Sequence, residues 1–214
     1  MTKLRIDCHV HTCYSHDSQF SLDSLVETCR AKGMDGICVT DHNTIAGAAA
    51  LAKHAPFPVV VGEEILTTAG EIIGYFLSRE VPGGLSPQAT VAAVKDQGGL
   101  VAIPHPFDRL RRSALKTEAL LEIAANVDII EIYNSRIILN ADNQKARQFA
   151  KKYDKAVTVG SDCHSVREMG YSFVSMDQFN GPSEFMHQLQ AGELCCRPIP
   201  LHLHVLRLQS LLGG

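Results

Sequence analysis

The sequence predicts an α/β fold, a barrel of parallel strands wrapped by helices, on three observations. Short, strongly apolar, β-rich runs alternate with amphipathic helical stretches along almost the whole chain. The runs are apolar on both faces, as strands covered on both sides are. Residues that bind metals or move protons recur where those runs end, and the C-terminal rim of a β/α barrel is where such residues collect. About six or seven strand-helix units suit a closed barrel better than an open sheet.

Leu4 to Cys8 is the first expected strand. Ser21 then caps a helix that carries Leu22, Leu25, Val26 and Cys29 on one face and closes at Gly33. Gly36 to Thr40 is the second strand, and an Ala-rich helix from about Ile45 to His54 stops at Pro56. Pro58 to Val61 is the third strand, with Glu71 to Leu77 paired as a hairpin around Gly70. Ser86-Pro87 offers an N-cap followed by proline at the first helical position, leading a helix to Gln97 that ends at Gly98-Gly99. Leu100 to Ile103, Asp128 to Tyr133 and Ala156 to Val159 are three further strands, separated by helices centred near Leu121 and Gln148. Tyr171 to Ser175 is the last expected strand, and a helix after Pro182 carries Phe185, Met186 and Leu189. Residues 1–194 make one domain. The apolar tail 195–214, with His202 and His204, packs back on the barrel or on a second subunit as a homo-oligomer contact.

Composition narrows the function classes. The 214 residues are 45% hydrophobic and 20% charged, with a formal net charge of -3, so no basic track for duplex nucleic acid is expected. No apolar run approaches the roughly 20 residues that span a bilayer, so no membrane partner is expected. The chain enters a strand pattern at its first residues, which argues against a signal peptide. Seven cysteines without a Cys-x-x-Cys pair fit reduced thiols and a cytoplasmic setting. Cys29 and Cys38 fall on apolar faces, and Cys8, Cys13 and Cys163 lie beside histidines and carboxylates that already fill the ligand role.

The chemistry-bearing residues begin with Asp7-Cys8-His9-Val10-His11. A strand turns alternate residues to opposite faces, so Asp7, His9 and His11 project from one side. Strand two ends in Asp41-His42, strand three in Glu64 and the strand from Leu100 in His105. The strand from Asp128 reaches Glu131 and Asn134, and that from Ala156 ends in Asp162 and His164. One histidine at a strand end is ordinary; six strands bringing such residues to one rim point to a metal-dependent hydrolase.

The motifs Asp7-Cys8-His9-Val10-His11, Thr40-Asp41-His42, Gly62-Glu63-Glu64, His105-Pro106 and Gly160-Ser161-Asp162-Cys163-His164 resemble the PHP (polymerase and histidinol phosphatase) superfamily. The resemblance implies a distorted (β/α)7 barrel, two or three divalent ions (zinc, manganese or iron) and phosphoester hydrolysis. It places His9, His11, Glu64 and Asp162 around a first ion. Glu64, as a bridge, and His105 hold a second, with a weaker contribution from Glu131 or Asn134. Asp17, His42 and His164 hold a third. His42, Asp162 and His164 are the implied catalytic groups. Asp7 and Asp41 are read as outer carboxylates that orient imidazoles, and Glu64, not Glu63, is the ligand by its Gly-x-Glu spacing. Some relatives carry a further histidine near the fifth strand or in the hairpin, where this chain has Glu131, Tyr133 and Asn134, and Ile72-Ile73.

Such a centre would act through a water acidified between two ions. Arg109, Arg136 and Arg167 follow ligand-bearing strand ends and, with Asn134, are expected to meet phosphate oxygens, since guanidinium suits bidentate recognition of phosphate. Arg111 and Arg112 read as solvated loop charges. The expected substrate is a small phosphate monoester or a nucleotide. The alternatives are a metal amidohydrolase, a cyclic phosphodiester hydrolase, or a non-catalytic metal-binding regulatory domain.

Overall fold

A computed structural model describes residues 3–203. Strand β1 (Leu4–Val10) leads to helix α1 (Leu22–Lys32), β2 (Gly36–Val39) and α2 (Ala46–Ala52). A hairpin of β3 (Val59–Thr67) and β4 (Gly70–Tyr75) follows, then α3 (Pro87–Lys95), β5 (Leu100–Ile103), α4 (Thr117–Ile123) and β6 (Ile129–Asn134). The chain continues through α5 (Asn140–Lys152), β7 (Ala156–Gly160), β8 (Ser172–Met176), α6 (Pro182–Ala191) and β9 (Glu193–Cys196).

The strands form one sheet in the order β7-β6-β5-β4-β3-β2-β1-β8-β9. Strands β1 to β3 are parallel, β4 runs antiparallel to both β3 and β5, and β5 to β7 are parallel again. Just past β7, Cys163 bridges in parallel to Val10, and the His11 N–H donates to the Cys163 carbonyl at 3.0 Å. That bridge nearly closes a seven-stranded α/β barrel, as the sequence predicts. Two features distort it. The hairpin takes the place of one strand-helix unit, and β8 pairs antiparallel with Leu4–Ile6 of β1, so β7 meets β1 only beyond that stretch.

Local chemistry explains most boundaries. The Ser21 hydroxyl accepts the Ser24 N–H at 3.2 Å, and Gly33 ends α1 at φ 66°, a left-handed turn that glycine enters without steric cost. Ser86 caps α3 in the same way through the Ala89 N–H. The third strand is longer than its apolar run because antiparallel pairing from Gly62↔Tyr75 to Thr67↔Gly70 carries it through Glu63 and Glu64. Glu64 therefore lies inside a strand and not at its end. Strand β9, which no periodicity marks, pairs with β8, and beyond it Ile199 is buried with its N–H on the Ser135 carbonyl at 2.9 Å. His204 and the apolar residues of 205–212, on which the expected tail contact depends, lie outside the described residues.

Apolar side chains sort by the pleat of the strands. In β2, Ile37 and Val39 pack with Leu25 and Cys29 of α1 and Leu51 of α2, while Cys38 joins the larger core of Ile6, Cys8, Ile73, Tyr75 and Ile103. Each such side chain contributes about 1.5–3 kcal/mol when fully buried. Tyr75 is 1% exposed, lies edge-on to Phe185 of α6, and donates its hydroxyl to the Cys8 carbonyl at 2.8 Å. This bond ties β4 to β1 across the barrel. Tyr75→Phe should lower the urea midpoint by an amount worth about 1 kcal/mol with an unchanged m value.

Candidate metal centre

Strands β1 and β3 and the segments just past β1 and β7 bring four buried groups face to face. His9 Nε2 and His11 Nε2 lie 3.1 Å apart. Glu64 Oε2 is 3.5 Å from the first and 3.3 Å from the second, and Asp162 Oδ1 is 3.8 and 3.5 Å from the same two atoms. All four residues are 0% exposed. Ligands at about 2.0–2.2 Å from one tetrahedral ion stand roughly 3.3 Å from each other, so these separations suit a closed set of ligands.

The hydrogen bonds behind the imidazoles decide which nitrogen faces inward. Glu131 Oε1 accepts from His9 Nδ1 at 3.0 Å. The Ser15 hydroxyl donates to Asp41 Oδ1 at 2.8 Å and so accepts from His11 Nδ1 at 2.9 Å. Each ring thus has its Nδ1 proton committed and its Nε2 turned toward Glu64 and Asp162. Two lone pairs and two carboxylates cannot face one another without a positive charge between them. A proton on His9 can supply it. Burial disfavours that charge, but Asp162, Glu131 and Glu64 hold the His9 imidazole well above its usual range, while burial and His164 push His11 below it. A divalent ion held there would satisfy all four groups at once in the proton's place.

Around this core the other predicted residues take distinct places. His105 Nε2 is 2.8 Å from Glu64 Oε1. His42 Nδ1 is 3.2 Å from Glu64 Oε2, and Asp17 stands between His42 Nε2 at 3.6 Å and His164 Nε2 at 3.1 Å. The His11 and His164 rings stack at 4.1 Å. Glu64 is held well below the usual carboxylate range: burial opposes this, and His9, His105 and His11 override it. Asp162 is held low as well, because Arg111 and Arg136 outweigh its burial. His105 (φ 31°) and Asp162 (φ 54°) both adopt left-handed backbone, at a cost of about 1–3 kcal/mol each. Gly160 leaves room for this packing, since a Cβ there would strike the His9 side chain and come within 2.6 Å of Glu131 Oε1.

Several expectations need correction. Glu131 stands behind His9, its Oε2 accepting the His105 N–H at 2.6 Å and the Asn134 amide at 3.0 Å, so both of its oxygens hold the frame. Asn134 also donates to Asp162 Oδ2 at 3.1 Å. Asp41 orients an imidazole through Ser15, as expected, but Asp7 does not: its Oδ1 accepts the His9 and Ser161 backbone N–H groups at 3.3 and 2.9 Å. Arg109 turns away from the centre, its Nε bound to Asp142 Oδ1 at 2.9 Å and its side chain 56% exposed. Arg111 takes the place expected of Arg109, with NH2 2.6 Å from Asp162 Oδ2. Arg136 reaches Asp162 Oδ1 at 3.1 Å, and Arg167 is exposed. The pattern Arg109-Leu110-Arg111-Arg112 contains no signal that separates these neighbours.

Glu71 joins these groups although no motif marks it. Glu71, 4% exposed, brings Oε2 to 3.5 Å from His105 Nε2 and Oε1 to 3.7 Å from His42 Nδ1. Burial and the neighbouring Glu64 push its pKa up to about 8. A glutamate opening an otherwise apolar strand was the available signal. Glu63, by contrast, faces away and accepts the Val81 N–H at 2.9 Å. Cys8 and Cys163 are buried in the apolar cores and Cys13 is exposed, so none joins the cluster.

Known proteins resemble this chain in sequence and fold. A model of the PHP domain matches residues 7–68, and a PHP-associated model matches residues 140–194. The uncharacterized protein MJ0417 of Methanocaldococcus jannaschii is 34% identical over 198 residues, 87% of this chain and 79% of that protein. The chain belongs to the PHP family. A second protein of the same archaeon, the uncharacterized MJ1587, is 34% identical over 145 residues, 62% of this chain and 82% of its own length. Solved structures with the same fold include a candidate metal-dependent phosphoesterase from Bifidobacterium adolescentis, with a TM-score of 0.64 and 17% identity over 88% of this chain and 96% of that one. An amidohydrolase from Chromobacterium violaceum, with bound sulfate and no metal, superposes with a TM-score of 0.59 and 16% identity over 94% of this chain and 96% of that one.

Two measurements test this PHP centre. Ser15→Ala removes the link from Asp41 to His11 and should weaken metal binding about 10- to 100-fold in chelator competition, with the fold retained. Glu63→Gln tests the burial of a carboxyl outside the cluster. Burial pushes the Glu63 pKa up to about 7 from an ordinary value of 4.5, so the wild type loses stability as pH rises through that window and glutamine does not. The stability difference between variant and wild type should shift toward the variant from pH 4.5 to 7, by at most about 1.4 kcal/mol per pH unit, as read from denaturation at each pH.

Proposed function

We propose that this PHP protein is a metal-dependent hydrolase that releases phosphate from a small phosphate monoester or nucleotide. What carries the reading is the pair of guanidinium groups, Arg111 and Arg136, that flank Asp162 beside the four converging ligand groups. His9, His11, Glu64 and Asp162 would hold a first ion, Glu64 and His105 a second, and Asp17, His42 and His164 a third, with zinc, manganese or iron as the candidates. When bound, such ions make water a nucleophile near neutral pH and offset charge on the phosphoryl group.

The chain's own groups do the rest. Arg111 and Arg136 bind the nonbridging phosphate oxygens through charge-assisted hydrogen bonds. Asn134 and Glu131 keep Asp162 and His9 in register, so no reorganisation is needed at the moment of reaction. Where no third ion is held, His164, with Nε2 3.1 Å from Asp17 Oδ2, would donate a proton to the leaving oxygen and be reprotonated by the proton that the attacking water releases. Two positive forks beside the centre suit a dianionic ester better than a neutral amide, which favours phosphoester over amide hydrolysis. The Chromobacterium violaceum amidohydrolase, of the same fold, also binds sulfate, a tetrahedral dianion. We also assign the protein to a reducing, cytoplasmic setting, in keeping with seven free cysteines.

The test is a screen of phosphate monoesters, nucleotides, cyclic phosphodiesters and amides with added manganese or zinc, reading released phosphate and amine. Phosphate from a monoester supports the proposal; amine release alone, or no turnover by metal-loaded protein, overturns it. On the best ester, Arg111→Ala and Arg136→Ala should each lower kcat/KM roughly ten- to a hundredfold, the worth of about 1.5–3 kcal/mol. Lysine at either position should restore part of it, because the planar fork is lost. Arg109→Ala, bound to Asp142 and pointing outward, should match the wild type.

A further inference from the structure

We infer that Glu71 is a metal ligand, the carboxylate that completes the second ion position with Glu64 and His105. The inference rests on reading the cluster as a metal centre but not on the identity of the ester. In the β3-β4 hairpin, Glu64 pairs with Ile73 and Leu66 with Glu71. Glu71 is therefore the diagonal neighbour of Glu64 on the same face of the hairpin, two residues from the position directly opposite. The pleat alone brings the two carboxylates together.

Their surroundings say what lies between them. Glu71 is 4% exposed, and its Oε2, like Glu64 Oε2, has no hydrogen-bond partner among the described residues. His105 Nε2 stands 2.8 Å from one carboxylate and 3.5 Å from the other, and His42 Nδ1 stands 3.2 and 3.7 Å from the same pair. Two buried carboxylates that share two imidazoles repel unless a proton or a metal ion joins them, and a metal ion would engage both orphaned oxygens together with the imidazole nitrogens. Every one of these atoms is a metal donor, and no backbone N–H takes up Glu71 Oε2. With Glu131 and Asn134 committed to the frame around His9 and His105, Glu71 is the remaining buried carboxylate at this position.

Two carboxylates in place of a mostly imidazole set make the position richer in oxygen. Carboxylate ligands favour manganese relative to zinc, and imidazoles the reverse. Zinc still binds more tightly in absolute terms, so the signature is a change in the manganese-to-zinc affinity ratio.

The experiment strips the full chain with a chelator and titrates it with Mn2+ and with Zn2+ by equilibrium dialysis and elemental analysis. Wild type, Glu71→Gln and Glu71→His are compared. Glu71→Gln, which keeps size and removes charge, should bind one Mn2+ fewer at concentrations that saturate the wild type, or bind it at least about a hundredfold more weakly. Glu71→His should regain the full count with Zn2+ while its manganese-to-zinc affinity ratio falls at least tenfold. If Glu71→Gln matches the wild type in number and affinity of Mn2+, Glu71 is not a ligand. If Glu71→Gln fails to fold by circular dichroism, the histidine variant decides, and an unchanged affinity ratio overturns the inference. A wild type that binds no divalent ion overturns both this inference and the metal centre, whereas a wild type that binds metal but cleaves no phosphate ester overturns only the proposed reaction.

Discussion

Four electron-pair donors, His9, His11, Glu64 and Asp162, are buried tip to tip at the end of the barrel, and most of the local structure answers to that arrangement. Left to themselves, such groups would turn outward or draw in water. They are held by bonds to their neighbours. Glu131 grips His9, Ser15 and Asp41 grip His11, His105 grips Glu64, and Arg111, Arg136 and Asn134 grip Asp162. The left-handed backbone at His105 and Asp162 belongs to the same account: local strain is tolerated where the surroundings over-determine a conformation.

The barrel's departures from regularity serve this end. An all-parallel barrel would place a helix after β3. The hairpin instead sends β4 back alongside it, and the pleat then sets Glu71 beside Glu64 at no cost in chain length. Closure is equally economical. Strand β8 takes the first half of β1, so the chain just past β7 bridges to β1 at Cys163 and Val10, beside the point where Asp162 must enter the cluster. The Asp162 N–H donates to the His9 carbonyl at 2.8 Å, so the bond that shuts the barrel also sets two of the four donors.

Charge balance links the centre to its rim. Arg111 and Arg136 lie against a carboxylate and yet reach the opening, with side chains 19% and 9% exposed. A guanidinium in that position can share itself between protein and a bound anion, which a buried apolar neighbour could not do. Asp142 and Asn143, at the start of α5, steady the outer parts of the same rim by holding Arg109 and the Asn134 backbone.

The amino-acid sequence by itself determined the alternation of strands and helices, the caps at Ser21 and Ser86, and the histidine and carboxylate positions at strand ends, because these follow from local periodicity and side-chain chemistry. It also determined that Glu63 and Glu64 face opposite sides, since a strand offers only two faces; which of them turns inward is decided by the place of the hairpin in the barrel. Only the tertiary structure decided which charged neighbours meet the centre. Arg109 and Arg111 have the same parity and the same loop, and the nearest carboxylate, Asp142 for one and Asp162 for the other, separates them. Glu131 lies on the expected strand, yet whether it meets an ion or the back of an imidazole depends on β6 pairing with β7 and on His9 of β1 reaching it inside the barrel. Glu71 needed the hairpin register, which is set by pairing between residues rather than by any one of them. Periodicity along a chain reports the face on which a residue sits; the partner across that face is a property of the closed barrel.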